Sequence, residues 1–185
     1  MKTKYILHGG FEKGKLDEDN NSFYSEIIKD TSQSIKILLV PFAKDEDRVV
    51  PSNERVMREF NKVREGKEIV FEIAKKESFL KQLSLCDVIY FHGGTTLKLL
   101  NALKEFPDFK ILLEGKIIAG ESAGSNVLCA YFYSKSADMV GQGLGFFPVK
   151  IIPHYKPEYK DKFIGTDAEL ENLFLREYEF KVFYI

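Results

Sequence analysis

Short apolar runs recur along the chain, at Tyr5 to Leu7, Ile35 to Val40, Ile69 to Ile73, Val88 to Phe91, Ile117 to Ala119, Val149 to Ile152 and Phe180 to Ile185. Runs of this length suit strands, and those without polar alternation suit strands buried on both faces. Between them, Ser22 to Lys29, Asn53 to Arg64, Glu77 to Leu83, Leu97 to Phe106 and Asp167 to Tyr178 carry charges at spacings that leave one apolar face, as helices packed on a sheet do. The alternation predicts an α/β three-layer sandwich with a mainly parallel sheet. In such a sheet the loops after the strands' C-terminal ends converge on one edge, and that edge is where a site is expected.

Length and composition narrow the picture. With 185 residues, 44% of them hydrophobic, and no internal repeat, the chain is expected to form one domain over residues 1–185. The 27 basic and 28 acidic residues nearly cancel, which argues against a nucleic-acid or anionic-membrane partner and for a small molecule. The apolar stretch in MKTKYILHGG is too short for a signal peptide, and no run approaches the ~20 apolar residues of a membrane span, so a cytoplasmic location is expected. Cys86 and Cys129 lie in apolar contexts and read as buried free thiols. The three histidines show no metal-ligand spacing, so neither metal nor cofactor is predicted.

The chemistry concentrates in KIIAGESAGSNVL, Lys116 to Leu128. A buried strand at Ile117 to Ala119, a GxSxG turn and a helix from Ser125 to Tyr131 make a nucleophile elbow with Ser122 at its apex. The amide of Ala123 would then face a developing oxyanion. After the Val88 to Phe91 strand, His92, Gly93, Gly94, Thr95 and Thr96 form a glycine loop at a helix N-terminus, suited to cradling an anion. A similar His8, Gly9, Gly10 follows the first strand, but nothing in the sequence pairs it with the serine. His154, just after Val149 to Ile152 and Pro153, is the best general base at that edge. Asp138 could orient its imidazole, with Glu121 and Asp167 as rival acids.

Four stretches, LLVPFA (Leu38 to Ala43), HGGTTLKLL (His92 to Leu100), GESAGSN (Gly120 to Asn126) and FFPVKIIPHY (Phe146 to Tyr155), resemble the dipeptidase E (aspartyl dipeptidase) family, whose fold is class I glutamine amidotransferase-like, that is, flavodoxin-like. The resemblance implies a serine hydrolase of short peptides, with Ser122 as nucleophile, His154 as base, Asp138 before Met139 as acid, and an oxyanion hole from the amides of Gly94 and Ala123. No cofactor is expected, and the chain is expected to be a monomer or homodimer. The chain departs from the family pattern where His92 occupies the glycine loop and where GTDAELENL, Gly165 to Leu173, replaces an arginine-containing segment. It also ends at Ile185, short of the family's last hairpin. With that arginine gone, His92 and Glu121 are the expected substrate-binding residues, Glu121 either repelling an acidic side chain or holding a free α-ammonium. The alternatives are a weak or inactive binding domain of the same fold, and an amidotransferase using a cysteine, against which the serine at the elbow decides.

Overall fold

The computed structural model describes residues 2–11 and 20–185. Its elements are β1 (Lys4–His8), α1 (Asn21–Ile28), β2 (Ser34–Val40), α2 (Glu46–Val63), β3 (Glu68–Ile73), α3 (Phe79–Leu85), β4 (Val88–Phe91), α4 (Thr96–Lys104), β5 (Ile117–Glu121), α5 (Ala123–Leu128), β6 (Cys129–Ser134), β7 (Met139–Gln142), β8 (Phe147–Ile152), β9 (Glu171–Phe174) and β10 (Phe180–Tyr184). Strands appear at all seven apolar runs. α2 starts ahead of the expected Asn53 because its first turns are largely exposed and carry no apolar face to read.

The strands form two sheets rather than one. The larger has the order β10-β1-β5-β4-β2-β3, parallel except for the β10 edge, and the smaller has the order β7-β6-β8-β9. Alternate residues of the larger sheet serve opposite faces, as a pleat requires. Ile6, Ile37, Leu39, Val88 and Tyr90 pack with Phe23, Ile27, Val56 and Phe60 of α1 and α2. Leu7, Leu38, Val40, Ile89 and Phe91 pack instead with Leu83, Leu99, Leu103 and Val127 of α3, α4 and α5, and with Phe132, Val149 and Ile151 of the smaller sheet. Both faces of β1, β2, β4 and β5 are therefore largely buried, the burial their uninterrupted apolar composition anticipates, whereas the edge strand β3 is half-exposed.

One expected helix is absent. Asp167 to Tyr178 contains β9, paired in parallel with β8 from Val149↔Glu171 to Ile152↔Phe174, followed by a loop. The spacing of its charges satisfies a helix, but the open edge of β8 offers a row of backbone partners, and tertiary pairing overrides a weak local preference. The pairing continues beyond the strand, with Leu175 N–H donating to Ile152 O and Tyr155 N–H to Leu175 O. Similarly, the elbow helix stops at Leu128, where the chain turns into β6. Among the described residues no helix is long and apolar enough to cross a membrane.

Candidate active site

Parallel pairing brings the ends of β1, β4 and β5 to one edge, where β8 and β9 of the smaller sheet also deliver their following loops. Ser122 is the single residue between β5 and α5, with φ 49° and ψ −100°. Such a conformation costs on the order of 1–3 kcal/mol in a non-glycine residue and persists only where its surroundings impose it. Here the Ser122 N–H donates to His8 O at 3.0 Å, and its carbonyl accepts the Asn126 N–H at 2.9 Å. The two glycines of the motif let the helix approach the sheet. A Cβ on Gly120 would lie 2.6 Å from the Gly124 carbonyl carbon, and one on Gly124 would lie 2.2 Å from Phe91 O.

The elbow meets the loop after β8. His154 Nε2 lies 3.0 Å from Ser122 Oγ, and His154 Nδ1 lies 3.1 Å from Glu177 Oε1. An ionised carboxylate only accepts, so Nδ1 carries the proton and Nε2 is left to accept the serine hydroxyl. Serine, imidazole and carboxylate thus form one continuous chain, with the histidine and glutamate side chains 26% and 34% exposed.

The carboxylate that meets His154 is Glu177 rather than the expected Asp138. Asp138 sits at the turn of the β6–β7 hairpin, 74% exposed, where its Oδ1 accepts from Tyr133 Oη and Lys162 Nζ, both at 2.7 Å. Those two donors, Lys162 first, hold its carboxyl below the ordinary range. The hairpin commits Asp138 to partners other than His154. Of the rivals, Asp167 accepts the Glu169 N–H at 3.0 Å in its own turn. Glu177 escaped the sequence reading because its segment reads as a helix; recognising β9 as a strand would have carried its loop to the same edge.

Glu121 and His92 also differ from expectation. Glu121 borders the pocket but is only 3% exposed, and its Oε2 accepts from Arg55 Nη2 at 2.6 Å and from Tyr90 Oη at 2.5 Å. Burial would raise its pKa, but the Arg55 charge and the Tyr90 hydrogen bond outweigh burial and hold the carboxyl at about 2. The Arg55 guanidinium in turn lies 4.0 Å above the Phe11 ring. Glu121 is thus the anion of a buried pair, with that oxygen already taken. His92 is fully buried, its Nδ1 3.0 Å from Ser52 Oγ and its ring edge-on to Tyr90. Burial pushes its pKa down to about 3, so it is a neutral packing residue behind the glycine loop.

A cavity of about 780 Å³ opens over Ser122 and His154, and Lys44, Arg48, Gly94 and Lys135 also line it. Gly94 has φ 146°, and a Cβ there would lie 2.5 Å from Ala43 O, so the loop is pressed against the segment after β2. Ala123 is the first residue of α5, whose opening amides have no partner within the helix. Cys129, at the far end of that helix, is fully buried, and burial raises its thiol pKa far above the ordinary value, which removes it as a nucleophile. Cys86 is buried as well. Among the described residues no group of three or more histidine, cysteine or acidic side chains could hold a metal ion.

The turn after β1 joins these parts. His8 O accepts the Ser122 N–H at 3.0 Å, Gly9 O the His154 N–H at 2.8 Å, and Gly10 O the Tyr178 N–H at 2.8 Å, one residue beyond Glu177. Three consecutive carbonyls therefore hold three segments that lie far apart in sequence.

The model of peptidase family S51 matches residues 8–178. No curated protein matches the chain. Among solved structures it is similar to a peptidase from an acI-B1 actinobacterium, 22% identical with TM-score 0.65, covering 99% of this chain and 84% of that one. It is also similar to a protein assigned as a peptidase E from Listeria monocytogenes EGD-e, 17% identical with TM-score 0.64, covering 100% and 98%. At these identities the structures establish the α/β fold alone. The match to the family model spans most of the chain, and the protein belongs to peptidase family S51.

Proposed function

We propose that this family S51 member is a serine hydrolase of short peptides in which Ser122, His154 and Glu177 act together. The observation that carries the reading is the unbroken chain from Glu177 Oε1 through His154 to Ser122 Oγ, with contacts of 3.1 and 3.0 Å at the floor of an open cavity. Ser122 Oγ bonds to the scissile carbonyl carbon while its proton passes to His154 Nε2. That proton then goes to the amine as the C–N bond breaks, and a water activated by the same nitrogen releases the acid. Glu177 fixes the imidazole tautomer and balances the imidazolium. The amides of Ala123 and Gly94 are the proposed oxyanion donors, each worth about 10²–10³ in kcat by analogy with other such holes.

A cavity near 780 Å³ is of a size to take a dipeptide rather than a folded chain. Lys44, Arg48 and Lys135 line it, while Arg55 balances the Glu121 carboxylate. The repulsion of acidic substrates expected from an unpaired Glu121 therefore loses its premise, and a carboxylate-bearing dipeptide suits the cavity. Nothing about a bare binding module would require a serine, an imidazole and a carboxylate in series, which favours turnover over binding alone. The test is active-site labelling by a fluorophosphonate together with hydrolysis of Asp-Leu and Ala-Leu, in the wild type and Ser122→Ala. The wild type should label and cleave and the variant should do neither; equal labelling in both would sink the assignment.

A further inference from the structure

Three residues in the left-handed φ region coincide with the amides received by the turn after β1: Ser122 at 49°, His154 at 51° and Tyr178 at 67°. Each would relax toward negative φ if its hydrogen bond were lost, moving the nucleophile, the base or the loop of the acid. Two bonds hold the turn itself: the Gly9 N–H donates to Glu179 O at 2.8 Å, and the His8 side chain accepts from Gly10. The His8 Nδ1 accepts the Gly10 N–H at 3.0 Å, across a turn in which Gly10 has φ 94°. The imidazole is 1% exposed and stacked on Phe23 with ring centres 4.2 Å apart. Gly10 packs so closely on the catalytic histidine that a Cβ there would fall 2.3 Å from His154 Nε2. Ser125 Oγ, 2.9 Å from both the His8 amide and the His8 carbonyl, ties the same residue to the elbow helix.

We infer that His8 is a positioning residue: by accepting the Gly10 amide it locks the turn whose successive carbonyls hold Ser122, His154 and the Glu177 loop in reacting register. The inference rests on the proposed roles of Ser122, His154 and Glu177. Because Nδ1 accepts a backbone proton, the ring must be neutral with its proton on Nε2. Burial keeps it so, lowering its pKa to about 4 despite the opposing field of Glu121.

The experiment measures kinact and KI for a fluorophosphonate, with a melting temperature, in the wild type and His8→Leu, His8→Gln, His8→Asn, Phe23→Leu and Ser122→Ala. Leucine offers no acceptor, and the glutamine oxygen reaches past the Nδ1 position. Both should lower kinact about 100-fold, the scale of loss for reacting atoms displaced by about 1 Å, with KI within about threefold. Asparagine places its Oδ1 where Nδ1 was and should recover kinact to within about tenfold of wild type. Phe23→Leu loosens the same packing while keeping the bond, so its melting temperature should fall with kinact unchanged. Wild-type kinact in folded His8→Leu or His8→Gln, a His8→Asn no faster than His8→Gln, or a Phe23→Leu as slow as either would overturn the inference. If His8→Leu does not fold, the contrast between glutamine and asparagine decides. Continued labelling of Ser122→Ala would instead refute the assignment of the nucleophile, whatever the His8 variants do.

Discussion

Replacing Glu177 with glutamine removes a charge while keeping the shape, so it asks how much the acid contributes to proton transfer. In the proposed mechanism His154 takes the serine proton, and the resulting imidazolium has a carboxylate oxygen 3.1 Å from its Nδ1. With the charge centres ~4 Å apart, the attraction is about 4 kcal/mol at an effective dielectric near 20. Glu177 is 34% exposed, so solvent screens part of this, leaving roughly 2–4 kcal/mol. At about 1.4 kcal/mol per decade, kcat should fall about 30- to 10³-fold. KM should hardly move, because the imidazolium exists only along the reaction coordinate. The control is Asp138→Asn, which alters an exposed carboxylate bound to Tyr133 and Lys162 and should leave kcat within about threefold. Steady-state hydrolysis of Asp-Leu or Ala-Leu by the three proteins is the assay. A Glu177→Gln enzyme within tenfold of wild type, beside an Asp138→Asn enzyme slowed a hundredfold, would show that the acid had been misassigned.

Three other outcomes test the surroundings of the site. His8 and His92, held neutral by burial to about pH 4 and about pH 3, bind protons in the unfolded chain near pH 6.5, so stability is complete above 6.5 and falls as pH drops toward those values. The depressed Glu121 carboxyl adds a further loss from its ordinary 4.5 down to about 2. Urea unfolding at pH 7 and pH 4.5 should differ by about 2–5 kcal/mol, and equal values would contradict the burial argument. Arg55→Leu leaves the Glu121 carboxylate buried without its cation and should cost about 3–5 kcal/mol in the same assay; a loss below about 1 kcal/mol would mean that the pair is dispensable. Gly10→Ala drives a methyl group into the His154 ring, so fluorophosphonate labelling should fall by about 10²-fold or more, and wild-type labelling would show the turn to be slack.

Much of this was legible in the chain because the relevant physics is local. Continuous apolar runs specify strands, which appear at all seven, and β1, β2, β4 and β5 are largely buried on both faces. The spacing in GESAG carries its own structural reason, since both glycines stand where helix and strand leave no room for a side chain. Pro153 and the run before it likewise put His154 at the end of a strand. The division into two sheets was not legible, because an apolar run does not record which neighbour it pairs with. The carboxylate beside His154 lay beyond local reading for the same reason: Asp167 to Tyr178 satisfies a helical spacing, and only the unpaired edge of β8 draws it into β9 and carries Glu177 to the imidazole. Asp138 lies between Ser122 and His154 in the chain, yet a hairpin and Lys162 claim it. The roles of His8, Gly9 and Gly10 exist only in three dimensions, since backbone carbonyls carry no side-chain signature and their donors lie more than a hundred residues away. Sequence determines which segments can be strands, turns and nucleophiles; long-range backbone pairing decides which of them meet.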